Sequence, residues 1–195
     1  MIGVEERTSV FPWLRLIRVA FSLIGASKVD LLATTRVRLR VWPNDLDINL
    51  HVNNGRYLAL ADIGRLHWFA LTGTLGVARR QKAYPVVGDA IAKFRRDLQA
   101  FQTFEIQTRL LGWDEKWGFI EHRFVRKNRV IGVVAIRGIF TGPSGRVDPA
   151  ALLGGLAHAA PSPQLPEWAN RFQQSSELLS ETLREEERAS GLRDR

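Results

Sequence analysis

Between Asp45 and Tyr57 the chain reads Asp-Leu-Asp-Ile-Asn-Leu-His-Val-Asn-Asn-Gly-Arg-Tyr, which gathers two carboxylates, an imidazole and three amides directly ahead of a long apolar segment. A carboxylate a few residues before a helix begins lies beside that helix's unpaired first N–H groups. One short segment then supplies both a base or nucleophile and a dipole that stabilises an oxyanion. Asp, Asn and His also punctuate turns and cap helices, so a purely structural turn is the competing reading.

Such a turn needs elements to hold it. Thr35 to Val41 alternates Val37, Leu39 and Val41 with Arg36, Arg38 and Arg40, the period of a strand with one buried face, and Trp42-Pro43 ends it. Gly55 to Leu71 is apolar nearly all round, with only Asp62, Arg65 and His67 polar among its larger residues after Arg56, as expected of a helix buried on most sides; Gly73 supplies its stop. Tyr84–Phe94, Thr103–Trp113, Lys116–Arg126 and Arg129–Phe140 read as a four-stranded meander with turns at Gly112–Glu115 and Lys127-Asn128, ended by Pro143-Ser144-Gly145. Val130–Ile136, almost continuously apolar, suits a central strand buried on both faces. The expected architecture is α+β, a long curved antiparallel sheet wrapped around one central apolar helix over residues 34–149. Residues 1–33 form an amphipathic extension. Residues 150–195 hold a Pro-containing linker and a charged helix, Glu167–Ala189, with Leu178, Leu179 and Leu183 as a stripe and fraying expected after Ser190.

Composition narrows the chemistry. There is no cysteine, which excludes a thiol nucleophile, a disulfide scaffold and thiolate-bound zinc, and fits a reducing, cytoplasmic setting. His51, His67, His122 and His158 show no paired ligand spacing, so no metal site is expected. The net charge of +8 divides unevenly: seven acids and five bases lie from Pro161 onward, leaving the body strongly basic and suited to an anionic partner. Without a long Lys/Arg tract or an RNA-binding aromatic motif, nucleic acid is not expected. Residues 10–24 read as a basic amphipathic helix with Arg15 and Arg18. Its uncharged run is far shorter than the ~20 residues of a membrane span, leaving packing against the domain or peripheral membrane contact.

The strand, Asp-rich turn, buried helix and further strands together resemble the hotdog-fold acyl-CoA thioesterases, in the branch of 4-hydroxybenzoyl-CoA thioesterase and of thioesterase superfamily member 6. The carriers are Asp45-x-Asp47, His51-Val52-Asn53-Asn54 and Tyr57, with Asp62-Ile63-Gly64-Arg65 on the helix and Gly112-Trp113-Asp114-Glu115-Lys116 among the strands. The resemblance implies Asp47 as the catalytic carboxylate, either nucleophile toward the thioester carbonyl or general base for water. An ordinary aspartate, with a pKa of about 4, is ionised for either role. It also implies that the backbone N–H of Asn54 polarises the thioester oxygen, with Asn53 or Asn54 side chains as further donors or plain caps. His51 either steers water or holds Asp47, or it braces the loop; Asp45 reads as a brace or cap. Leu50 departs from the glycine usual at this place.

Candidate phosphate contacts for coenzyme A, which is substrate and not cofactor, are Arg79, Arg80 and Lys82 after the helix and Lys93, Arg95 and Arg96 at a strand end. Solvated surface charge is their competing reading. The resemblance implies a homodimer or dimer of dimers with an acyl tunnel between helix and partner, lined by Tyr57, Trp68 or Phe69. Two rivals stand beside the thioesterase. One is a hotdog enoyl-CoA hydratase, whose dyad spacing Asp47-x-Asn49-x-His51 misses by one residue; the other is an acyl-CoA or acyl-carrier binding module without turnover.

Overall fold

In the computed structural model, which describes residues 13–154, 156 and 161–191, the alternating tract becomes strand β1 (Thr35–Arg40) with Thr35, Val37 and Leu39 inward and Arg36, Arg38 and Arg40 outward. A short 3-10 turn (Pro43–Asp45) leads to the central helix α2 (Asn54–Thr72). Asn53 caps α2 by accepting from the Gly55 N–H at 2.8 Å, and Gly73, at φ 83°, closes it in the left-handed conformation that a residue without Cβ adopts freely. Leu60, Ile63 and Trp68 of α2 are sealed against the sheet. Gly64 allows the close approach, because a Cβ there would sit 2.6 Å from Thr108 Oγ1 and 2.9 Å from Ile106.

The chain then forms α3 (Thr74–Arg80), β2 (Tyr84–Phe94), β3 (Thr103–Trp113), β4 (Gly118–Arg126), β5 (Arg129–Gly142), β6 (Gly145–Val147), α4 (Pro149–Leu153) and α5 (Glu167–Ala189). The antiparallel sheet has the order β1-β3-β4-β5-β2, with β6 also on β5. Two expectations need correction. The four strands are not one meander, since β2 pairs with β5 at the far edge and residues 95–102 cross back over β5 and β4 to begin β3. Alternation reports which face of a strand is buried but not its neighbour. Pro143-Ser144-Gly145 does not end the sheet; it turns β5 into β6. The short helices α3 and α4 fill tracts that showed no periodicity.

Elsewhere expectation and structure agree to within two residues, the hairpin turn expected at Gly112–Glu115 falling at Asp114–Trp117 with β4 starting at Gly118. Lys127 and Asn128, both at positive φ, make the two-residue turn between β4 and β5. On β5, Ile131, Val134, Ala135 and Ile136 are buried, α2 covering one face of the sheet and α5 part of the other. There α5 is fastened by a small cluster of Leu111, Phe119 and Ala169, and by buried Arg137, which bonds Asp89 and Glu177 beneath the Trp117 ring. Leu178, Leu179 and Leu183 remain exposed.

The amino-terminal helix α1 runs Trp13–Ser22; residues 10–12 of the expected element, linker residues 155 and 157–160, and the tail from 192 lie outside the described residues. It packs on the domain through Arg15 and Val19, while Leu14, Ile17, Phe21 and the following Ile24 stay exposed. Among the described residues no helix is long and apolar enough to cross a membrane.

Candidate active site

The two carboxylates of the Asp-rich turn have opposite surroundings. Asp45 is fully buried and accepts from Arg15 Nη1 at 2.9 Å and Nη2, from Arg56 Nη2 at 3.0 Å and from the Trp42 N–H at 2.8 Å. Burial alone would raise its pKa, but the hydrogen bonds and charge of Arg15, with Trp42 and Arg56, hold it below the ordinary value. Asp45 thus ties α1, the end of β1 and the first turn of α2 into one joint. Neither Arg15 nor Arg56 carried a sequence signal for this, since their partner lies 30 residues away in one case and in an adjoining turn in the other.

Asp47 is half-exposed. Its Oδ1 accepts from the Asn49 N–H at 2.8 Å and more weakly from the His51 N–H at 3.4 Å. Its backbone N–H donates to His51 O, and Leu46 bridges Val52, so the turn is a small closed loop. Leu50 adopts φ 59° there, so the backbone takes a path natural to glycine even though the residue is leucine. The loop ends against α2: Asn53 N–H donates to Asp45 O, and the Asn54 N–H, first of the helical amides, finds no acceptor among the described residues. Asn53 and Asn54 are both exposed.

His51 turns its ring toward the crossover, with Nε2 3.8 Å from Asp97, while its backbone holds Asp47. Asp97 was not among the expected site residues, because only the crossover brings it there. Val52 N–H donates to Leu98 O and His51 bridges Gln99, so the crossover is stitched to the Asp-rich turn.

The structure separates the other expected residues. Tyr57 is buried edge-to-face between Phe94 and Phe124, at centroid distances of 5.1 and 4.8 Å, and is not part of the cleft beside Trp68 and Phe69. Burial, with the charge of Asp97, pushes its hydroxyl up to about 12. Trp68 and Phe69 line a small cleft of about 50 Å³ between the carboxyl half of α2 and β2–β5. Fourteen residues along the helix from Asn54, this cleft lies about 21 Å from the Asp-rich turn within one chain. The basic clusters part likewise. Lys93, Arg95 and Arg96 are exposed at the end of β2 beside the turn, and Arg79, Arg80 and Lys82 are exposed at its other end. An eleven-residue strand puts these roughly 30 Å apart.

Buried polar groups also lie on and beneath α2. His122, beside Thr108 Oγ1 at 2.9 Å, is held neutral by burial and by the charge of Arg65, its pKa lowered to about 3.

A family model of the thioesterase-like superfamily matches residues 41–174. The THEM6 protein of Danio rerio is 38% identical over 120 residues, covering 61% of this chain and 59% of its own. The THEM6 protein of Xenopus laevis is 41% identical over 85 residues, 44% of this chain and 41% of that one. The chain therefore spans about three fifths or less of the length of these relatives. A solved gentisyl-coenzyme A thioesterase superposes with a TM-score of 0.56 at 18% identity, over 62% of this chain and 99% of that chain, a likeness of fold. The curled sheet around α2 is the hotdog fold, and with a family match running from Val41 into α5 the chain belongs to the thioesterase-like superfamily.

Proposed function

We propose that this protein hydrolyses acyl-CoA thioesters to a free acid and coenzyme A, with Asp47 as the reacting carboxylate. The observation that carries this reading is the division of labour in the turn. Asp45 is wholly engaged in structure, whereas Asp47 has one oxygen held by the Asn49 N–H and stands half-exposed in the loop leading into α2, whose first amide, Asn54 N–H, has no acceptor among the described residues. As nucleophile, an Asp47 oxygen bonds the thioester carbon and the C–S bond breaks with its electron pair leaving on sulfur. Water then opens the mixed anhydride to free acid and regenerated aspartate. As general base, Asp47 takes the proton of the attacking water. In both cases the Asn54 N–H faces the growing oxyanion, and one such donor is worth about 3 kcal/mol.

The slot is completed, in this reading, by a second copy across β2. That strand is a long edge carrying exposed Tyr84, Val86, Val87, Ile91 and Phe94, whereas the other edge, β1, is guarded by Arg36, Arg38 and Arg40. Antiparallel two-fold pairing brings the partner's Tyr84 end beside this chain's Phe94 end. Arg79, Arg80 and Lys82 of one copy then approach Arg95 and Arg96 of the other, close to Asp47, where coenzyme phosphates need cations. The exposed stripe Leu14, Ile17, Phe21 and Ile24 of the α1 region, with Arg18 beside it, is proposed to rest on an anionic membrane surface.

The test is thiol release from short, medium, long and aromatic acyl-CoAs. Release by the wild type, lost in Asp47→Asn, supports hydrolysis. Hydration of crotonyl-CoA without thiol release would favour the hydratase, against which His51 facing Asp97 already weighs. Tight binding without turnover on any substrate would favour the binding module.

A further inference from the structure

Helix α5 crosses the outer face of the sheet and does not stop at its edge. The segment leading into it is anchored over β3, where Ser162 Oγ accepts from the Trp113 N–H at 2.8 Å, and Ala169 then packs on Leu111 and Phe119. Two helical turns further on, Glu177 meets Arg137 of β5, which also bonds Asp89 of β2. Phe119, Arg137 and Asp89 stand in one register row across β4, β5 and β2, so the helix heads toward the β2 edge. That edge lies one strand spacing, about 4.8 Å, beyond β5. Residues 178–189 add roughly 18 Å of helix on the same line. Apart from half-buried Ser180, all of them are exposed.

The stripe of α5 that faces the sheet continues past the edge as well. Ala169, Phe172 and Ser176 are its buried residues, and the same spacing of three and four runs on through Leu179 and Leu183, which are 57% and 48% exposed. The two-fold pairing across β2 proposed above, on which this step rests, puts the axis at Asp89, midway between Tyr84 and Phe94. Since α5 heads for that point, the helices of two copies pass each other there, antiparallel, on one face of the joined sheets. Charge agrees with this. Residues 178–189 hold Glu181, Glu185, Glu186 and Glu187 against Arg184 and Arg188, whereas the outer face of the sheet presents Lys93, Arg109 and Arg123 against Glu121. An anionic membrane suits so acidic a segment poorly. We propose that the carboxyl-terminal half of α5 is a strap between two copies of this chain, Leu179 and Leu183 packing on the partner's α5 and on the outer face of its β2, where Ile91 is exposed.

The chain has no cysteine, so Glu181→Cys puts one spin label on each copy. Adjacent helices with axes roughly 8–10 Å apart should place the two labels of a dimer about 15–30 Å apart in double electron–electron resonance. Leu179→Glu with Leu183→Glu should raise the dimer dissociation constant in sedimentation equilibrium at least a hundredfold, and Leu179→Ala with Leu183→Ala, which keeps the helix, at least tenfold. Both leucines are exposed in the single chain, so circular dichroism should show the wild-type fold in each variant. A dimeric wild type with labels well beyond that range, or with a dissociation constant that the folded variants leave unchanged, would overturn the strap and leave the pairing across β2 standing. A stripe that serves a membrane or another protein gives that second result. A monomeric wild type would overturn both.

Discussion

Exchanging the two aspartates of the turn for asparagine one at a time should separate folding from chemistry. Asp45→Asn keeps the shape of the side chain but replaces an anionic oxygen by an NH₂ donor, among Arg15, Arg56 and the Trp42 N–H, all of which donate. At least one donor then confronts another, and Arg15, itself 8% exposed, loses its counter-charge. Removing one partner of a buried ion pair costs about 3–5 kcal/mol, against a total of roughly 5–15 kcal/mol for a domain. For a chain of this length that amounts to a fall in Tm of roughly 6–20 °C. Asp47→Asn should shift stability by less than about 0.5 kcal/mol, since an amide oxygen can still accept from Asn49 N–H and the side chain is half-exposed. Thermal and urea denaturation, followed by circular dichroism beside the thiol-release assay, read both effects. A stable Asp45→Asn protein that has lost activity, or an Asp47→Asn protein that melts early, would reverse the roles argued above.

The folded-state pKa of His122, lowered to about 3 by burial and Arg65, sits below that of the unfolded chain. Its contribution is complete above about pH 6.5 and falls as the pH drops toward 3, by about 1.4 kcal/mol per pH unit; His122→Gln should flatten the stability–pH profile there. An unchanged slope between pH 6.5 and 4 would mean that the ring is protonated in place. Leu50→Gly should raise stability or leave it unchanged despite the loss of a side chain, because φ 59° suits glycine, and a destabilisation above about 1 kcal/mol would contradict the strain argument. Ile91→Lys, on the exposed apolar edge, should convert dimers to monomers in sedimentation equilibrium and lower hydrolysis with them; a wild type that sediments as a monomer would remove the shared slot. Leu14→Glu with Phe21→Glu should abolish flotation with anionic vesicles, and wild-type protein that fails to float would leave α1 a packing element only.

Local residue order determined a good deal here. Period-two alternation marked Thr35–Arg40, and unbroken hydrophobicity marked α2, because burial on one face or on all faces is written directly into residue types. The Asp-rich turn was legible for a similar reason, since caps and carboxylates before a helix are contiguous in the chain. Even the left-handed path at Leu50 belongs to the turn itself, although the leucine concealed it. Tertiary structure alone decided which aspartate was structural, because Arg15 reaches Asp45 only after α1 packs and Arg56 only after α2 begins. It alone put β2 at the far edge, brought Asp97 to His51 and parted the two basic clusters, since strand order depends on which edges remain free once the sheet has closed around α2. The resemblance implies Trp68 and Phe69 beside an apolar slot, but that their cleft lies toward the carboxyl half of α2 and leaves out Tyr57 follows only from how the helix packs on the sheet.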